Sequence, residues 1–464
     1  MRIRNVLVIL VVLIVFVVKP IWAQENNKVG IHILETAEVE RAAALVNSSG
    51  GDWGYVTIVL RDDDLDFVKW QRFMDDCREL HLIPIIRLAT HTENNWWAKP
   101  EEGNLDRWVD FLASLNWPVK QQIVVLFNEP NHAKEWGGEI NPREYSTLVN
   151  NLIQKFKESN SDFYLMLAGL DQAADGQKGT MKEEEFLSQM AEAVPDIFEK
   201  VDGWCSHSYP RNFVGLPTGQ GRNSIKGYEW ELQKVEEVDK SSRKVEDWEV
   251  YITETGWQNF DEEKIAEYMV DALKIWEKDE RVKAVTPFVL NYPAEPFERF
   301  SWIKKDGSAK QSYEKVLGVN KVMGEPEQRE SFEVVGLKLA EILPTDYEYQ
   351  AKVKIKNTGQ WIMGEENNIK NKILNIKNES EGLKENSQCC QISQYPVLTE
   401  YIYPEEEEEM DFKIKTGTES GECRLKIDDQ EYPIYTFKPF ELKNEKVSLW
   451  RQIKTKVKLW LRKE

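Results

Sequence analysis

From Val29 onward the chain repeats one pattern: a short apolar run, then a longer stretch whose apolar residues return every three or four positions. The runs are Val29–Leu34, Tyr55–Leu60, Ile83–Leu88, Ile123–Phe127, Phe163–Ala168, Val201–Ser206, Glu249–Thr253 and Ala284–Leu290. Most are rich in Val, Ile and Leu without polar alternation, which predicts parallel strands covered on both faces. The stretches between them, such as Asp66–Leu80, Leu105–Leu115, Pro142–Ser159 and Glu262–Glu277, predict amphipathic helices. Eight such repeats predict an α/β fold, a (β/α)8 TIM barrel over residues 28–319. The alternative, a doubly wound sheet, calls for a Gly-rich phosphate loop after the first strand, and the sequence has none there.

The pattern then changes. Residues 320–330 (NKVMGEPEQRE) are polar, contain Gly and Pro, and read as a linker. Over 331–442 the helical period stops. Glu348–Lys356 and Asp411–Lys415 alternate as half-exposed strands do, predicting an antiparallel β-sandwich, and Val353–Trp361 (VKIKNTGQW) resembles the Asn-Thr-Gly turn of immunoglobulin-like modules, which implies an immunoglobulin-like β-sandwich. Its Asn- and Lys-rich insert Gly364–Gly382 reads as a loose loop or hairpin, and the five Glu of Glu405–Glu409 as a solvated loop rather than a metal site. Residues 446–463 hold seven basic side chains and no acidic one. Trp450, Ile453, Val457, Trp460 and Leu461 share one face there, predicting a basic amphipathic C-terminal helix. That helix either lies on an anionic membrane surface or wall polymer, or docks on the protein itself. At the other end, Arg2 and Arg4 precede the apolar run Val6–Val18. Residues 1–23 therefore read as a signal peptide, cut after Ala23, or as an uncleaved anchor, since Ile21 is large for the minus-three position. Both readings make the protein secreted or attached to the cell envelope.

Charge narrows the partners. With 60 Lys and Arg against 80 Asp and Glu, the net charge is −20, which argues against a nucleic-acid partner and is compatible with a neutral glycan. Seventeen Trp supply flat apolar surfaces of the kind a sugar ring stacks on, although most belong in the core. Of the five Cys, Cys423 is placed to pair with Cys389 or Cys390, while Cys77 and Cys205 read as core thiols; none has zinc-ligand spacing. No metal or organic cofactor is expected.

Two of the apolar runs end in Glu. Leu126-Phe127-Asn128-Glu129-Pro130-Asn131 closes the fourth, and Tyr251-Ile252-Thr253-Glu254-Thr255-Gly256-Trp257 the seventh. Side chains at the C-terminal ends of barrel strands face the mouth, so Glu129 and Glu254 are expected opposite each other there. Glycosidic cleavage needs such a pair: one carboxyl gives a proton to the leaving oxygen, and the other, ionised, attacks the anomeric carbon or activates water. Other expectations follow from position. Asn128 offers an amide to a sugar hydroxyl. His207 or Tyr209, after the sixth run, is expected to hydrogen-bond Glu254. Arg87, within the third run, is expected beside the nucleophile, with Arg61 as its competitor. His32 on the first run is expected to face the mouth, and Trp257 to stand on its rim. Trp96 and Trp97 either stack on sugar or pack beneath their loop, and the Gly- and Asn-rich segment Asn212–Tyr228 suits a lid or subsite wall.

Asn-Glu-Pro after strand four with Glu-Thr-Gly-Trp after strand seven resembles the clan A glycoside hydrolases, which include cellulases, mannanases and xylosidases; the run Asn-Glu-Pro-Asn looks closest to the xylosidase-like branch. The resemblance implies retaining hydrolysis of a β-linked oligo- or polysaccharide, with Glu129 as acid/base, Glu254 as nucleophile and Asn128 on the 2-hydroxyl. It also implies a Trp on strand eight, where this chain has Thr286-Pro287-Phe288-Val289-Leu290; Phe288, Tyr292 or Trp302 is expected to take that place. Two other readings remain: an inactive barrel that binds envelope glycans, and a structural surface protein acting through its sandwich and tail.

Overall fold

The computed structural model describes residues 26–239, 243–364, 374–377, 389–398, 400–427 and 430–439. The leader 1–23, most of the insert and the basic segment 446–463 lie outside the described residues. Among the described residues no helix is long and apolar enough to cross a membrane.

Eight parallel strands form the first body: β1 (Gly30–His32), β2 (Gly54–Arg61), β3 (Leu82–Ala89), β4 (Gln122–Leu126), β5 (Phe163–Leu167), β6 (Trp204–Ser206), β7 (Val250–Ile252) and β8 (Val282–Val285). They pair in chain order as two arcs, β1 to β5 and β6 to β8. One seam is closed by a bridge between Val29 and Val285, with His32 N–H donating to the Pro287 carbonyl at 3.1 Å. At the other, Asp202 N–H donates to the Leu165 carbonyl at 2.9 Å, and the Asp202 carboxylate accepts from Leu165 N–H at 2.7 Å. The ring is thus closed. The eighth strand is shorter than the apolar run that announces it. It ends at Val285, and the imino nitrogen of Pro287 cannot donate to a continuing ladder.

Helices α1 (Val39–Val46), α2 (Phe67–Glu79), α3 (Leu105–Ser114), α4 (Pro142–Ser159), α5 (Glu183–Ala193), α6 (Gly227–Val238), α7 (Glu262–Glu277) and α8 (Gln311–Leu317) surround the ring. Several start on built caps. Asp66 accepts from Val68 and Lys69 N–H, Asn141 from Glu144 N–H with Pro142 next in line, and Asp261 from Lys264 N–H; such caps contribute about 1 kcal/mol each. A large core fills the space between helices and strands. A second fills the ring itself, with Tyr55, Ile83, Ile85, Ile123, Val125, Met166, Cys205 and Tyr251 among its members. These inward positions alternate along each strand. On β3 the inward set is Ile83, Ile85 and then Arg87, so the pleat carries Arg87 to the mouth.

The second body has two four-stranded sheets, ordered β9-β11-β14-β13 and β10-β16-β15-β12. The strands are β9 (Phe332–Lys338), β10 (Ile342–Pro344), β11 (Glu348–Asn357), β12 (Leu374–Lys377), β13 (Cys390–Gln394), β14 (Glu407–Thr416), β15 (Gly421–Ile427) and β16 (Gln430–Phe437). The sheets share a core of Val353, Ile355, Phe412, Ile414, Leu425 and Ile434, and Cys390 is bonded to Cys423. Two sequence expectations are corrected here. Part of the insert, Leu374–Lys377, is a strand paired with β15. The run of Glu is largely the start of β14. Lys338 and Lys352 bond Glu409, Lys354 bonds Glu407 and Lys356 bonds Glu405, and this cross-strand pairing lets so acidic a segment sit in a sheet.

The loop after β11 docks on the face of the barrel opposite the mouth. Arg78 Nε donates to the Gln360 carbonyl at 2.6 Å, Gln360 Nε2 to the Val119 carbonyl at 3.0 Å, and Asn116 Nδ2 to the Gly359 carbonyl at 3.2 Å. Arg78 is buried, and also bonds Asp75 and Asn116. Replacing it with Ala strands the carbonyl acceptors, so Arg78→Ala is expected to cost about 1–3 kcal/mol. Calorimetry checks this; an unaltered unfolding temperature would mean that the junction holds without it.

Candidate active site

A cavity of about 990 Å³ opens at the C-terminal ends of the barrel strands. Glu129 and Glu254 line it, with Arg87, Asn128, His207 and Tyr209. The backbone after β4 turns sharply to bring Glu129 in. Phe127 has φ +75° and Glu129 φ +33°, a left-handed region that costs ordinary residues roughly 1–2 kcal/mol each. Bonds offset this: Glu129 N–H donates to the Gly169 carbonyl at 3.1 Å, and His132 N–H to the Glu129 carbonyl at 2.8 Å. Gly169 is required beside them, because a Cβ there would lie 2.4 Å from the His207 ring.

Glu254 follows β7. The Arg87 guanidinium bonds its Oε1, and Tyr209 O–H donates to its Oε2 at 3.1 Å. His207 Nδ1 lies 2.7 Å from Glu129 Oε1 and 4.0 Å from Glu254 Oε2. One oxygen of each Glu and a His207 ring nitrogen all fall within 4.8 Å of one another. The two acids, 125 positions apart in the chain, thus meet at one point.

Electrostatics separates their surroundings. Burial alone would raise the Glu254 carboxyl, but His207 and Arg87 outweigh it and hold it down at about 2, so Glu254 is ionised at neutral pH. Burial would lower the His207 imidazole, but the Glu254 and Glu129 carboxylates push it well above its usual value. His32 is sealed beneath the mouth. Burial, then Arg87, pushes it down to about 3, which leaves it neutral. Glu129, His207 and Glu254 have the spacing of a metal site. Arg87, bonded to Glu254, already supplies a positive charge beside that trio.

Other side chains stand elsewhere than the sequence suggests. Trp257 is not on the rim; it is buried and donates to the Gly215 carbonyl at 2.7 Å. Trp302 is also buried and, with Trp257, lines a separate cavity of about 290 Å³. Phe288 and Tyr292 line the main cavity instead. His32 is wholly buried with an edge contact to Phe288, and does not line the cavity. Arg61 is exposed and paired with Asp63, 2.9 Å away, which leaves the place beside Glu254 to Arg87. Asn128 Nδ2 donates to Glu135 at 3.1 Å. From the segment after β6, Arg211, Asn212, Phe213 and Asn223 line the cavity, and Phe213 packs edge-on against Tyr209 and Phe300.

Among the cavity residues that the sequence did not single out are three ionisable ones, Glu135, His132 and Asp171. Glu135 lies in a short turn beyond Glu129; burial first, and then Glu129, raise its carboxyl to about 7. His132 pairs with Asp171 at 2.7 Å. All three follow the strand ends closely, but no local pattern marks them. A carboxyl raised from its ordinary 4.5 to about 7 makes the fold less stable as pH rises between those values. Glu135→Gln is therefore expected to raise the unfolding temperature at pH 8 by roughly 2–4 °C and leave it unchanged near pH 4. Thermal scans at both pH values check this, and a lower temperature at pH 8 would contradict it.

No curated protein matches the chain in sequence. Residues 96–312 match the family described as glycosyl hydrolase catalytic core. Among solved structures, the chain is similar to a family 39 glycoside hydrolase from Bacteroides cellulosilyticus WH2, with 15% identity over 84% of this chain and 80% of that one and a TM-score of 0.45. It is similar to a monomeric beta-xylosidase from Caulobacter crescentus CB15, with 16% identity over 72% and 74% and a TM-score of 0.47. It is also similar to a beta-mannanase from Thermomonospora fusca, with 14% identity over 64% and 90% and a TM-score of 0.40. The matched core takes in the ends of β4, β6 and β7, where Glu129, His207 and Glu254 converge, and the protein is a glycosidase.

Proposed function

We propose that this protein hydrolyses a β-linked oligo- or polysaccharide with retention of configuration. The observation that carries the reading is the approach of the Glu129 and Glu254 oxygens to within 4.8 Å. Retaining enzymes hold their carboxyls about 5–5.5 Å apart, whereas inverting enzymes leave about 6.5–9.5 Å for a water. Glu254 attacks the anomeric carbon as Glu129 gives its proton to the departing oxygen. Water then attacks the same carbon, Glu129 takes up its proton, and the bond to Glu254 breaks. Arg87 and Tyr209 keep the attacking carboxylate ionised and aimed, and His207 holds Glu129 in place. Asn128 and the aromatic wall of Phe213, Phe288 and Phe300 receive the sugar.

The test is hydrolysis of a panel of aryl β-glycosides and neutral polysaccharides, with the anomer of the first product followed by NMR. First release of the β anomer from a β-glycoside supports the reading. Release of the α anomer would replace it with inversion. No turnover of any substrate would favour a barrel that only binds glycan.

We further propose that the protein acts outside the cytoplasm. The Arg-flanked apolar run Val6–Val18 and the Cys390–Cys423 disulfide support this. The basic segment 446–463 supports contact with an anionic surface. Fractionation of cells that express the full chain tests both.

A further inference from the structure

Beside the catalytic cavity lies a second groove of about 770 Å³. Both are bordered by Asp63, and a two-stranded hairpin, Thr92–Glu93 with Trp96–Trp97, stands between them. Trp97 lines the catalytic cavity and Trp96 the outer groove, so one tight hairpin presents an indole to each side. The hairpin is fixed. Asn94 and Asn95 turn it in the left-handed region, with φ +48° and +72°. Ala98 N–H donates to the His91 carbonyl at 2.9 Å, and Gly137 N–H to the Trp97 carbonyl at 2.8 Å. A Cβ on Gly138 would come within 3.2 Å of the Trp96 ring, so that ring lies directly on the Gly138 backbone. The rest of the groove is polar. Asp62, His91, Glu93, Lys99 and Arg107 surround the indole, mixing acceptors and donors of both charges. A half-exposed flat ring, ringed by charged groups that bind hydroxyls, suits a neutral sugar better than an apolar or strongly ionic ligand.

We infer that the Trp96 groove is a distal sugar subsite, continuous with the catalytic cavity past Asp63, and that the protein acts on chains long enough to fill both. The inference rests on the glycosidase reading and adds to it a preference for polymers over short glycosides.

The test compares the full-length protein with Trp96→Ala and Trp96→Phe on an aryl β-glycoside and on the polysaccharide hydrolysed fastest among laminarin, xylan and mannan. Trp96→Ala is expected to lower kcat/KM on the polysaccharide about ten-fold, mainly through KM, and to leave the aryl glycoside unchanged. Trp96→Phe, which keeps a flat ring, is expected to retain most of the polymer activity. Equal rates for parent and Trp96→Ala on the polymer would overturn the inference. An equal fall on both substrates would overturn it too, since the hairpin would then be propping the catalytic cavity. A parent that cleaves the aryl glycoside but none of the polymers sinks the subsite and leaves the glycosidase standing. A parent that cleaves nothing sinks both.

Discussion

Glu254→Gln is expected to lower turnover of an aryl β-glycoside by roughly ten-thousand-fold or more, since an amide cannot form the covalent glycosyl intermediate. Its shape is nearly that of the parent; the amide oxygen still accepts from Arg87, and the Tyr209 hydroxyl can turn to accept from the amide nitrogen, so circular dichroism should not change. Glu129→Gln is expected to behave differently. It loses the proton donor alone, at a cost of about 10²–10⁴-fold. That loss should shrink when the leaving group is an acidic phenol such as 2,4-dinitrophenol, which departs without protonation. Steady-state kinetics on a series of aryl glycosides separates the two roles. If the dinitrophenyl substrate rescued Glu254→Gln rather than Glu129→Gln, the assignments would have to be exchanged.

Arg87→Met should produce the second large effect, visible in both pH dependence and stability. Arg87 and Glu254 are a buried pair with side chains only 9% and 12% exposed, so removing Arg87 takes away the cation bonded to the carboxylate and leaves it with His207, 4.0 Å away, and the Tyr209 hydroxyl. Breaking such a pair costs about 3–5 kcal/mol. The sign with pH follows from the direction of the shift. Glu254 has its carboxyl depressed from 4.5 to about 2, so its stabilisation is complete above pH 4.5 and lost as pH falls toward 2. In Arg87→Met the carboxyl rises, and the acid limb of kcat/KM is expected to move up by about 1–3 pH units. Activity lost without movement of that limb would mean that Arg87 only braces the barrel.

Much of the barrel is legible in the sequence, because buried parallel strands have a composition of their own. Val124 and Val125 or Ile85 and Ile86 can hardly be anything but strand interior, and a Glu that follows such a run must emerge at its end. Glu129 and Glu254 are visible for that reason. The tryptophans illustrate the limit. Trp257 and Trp302 have the look of sugar platforms, but both are buried, and only the path of the chain after β7 and β8 decides that. Phe213 and Phe300 come from distant segments, so nothing local marks them as one wall.

Strand ends are short-range features, set by backbone burial and punctuation, and the amino-acid order by itself therefore determined the barrel and the two acids at its mouth. What surrounds those acids is long-range. Arg87 rather than Arg61 on Glu254, His207 on Glu129, Glu135 beside Asn128, and Trp96 and Trp97 on opposite sides of one hairpin are all products of how the ring closes. Side chains from different strands meet only once the ring has shut. The charge environment that keeps Glu254 ionised is therefore a property of the tertiary structure alone.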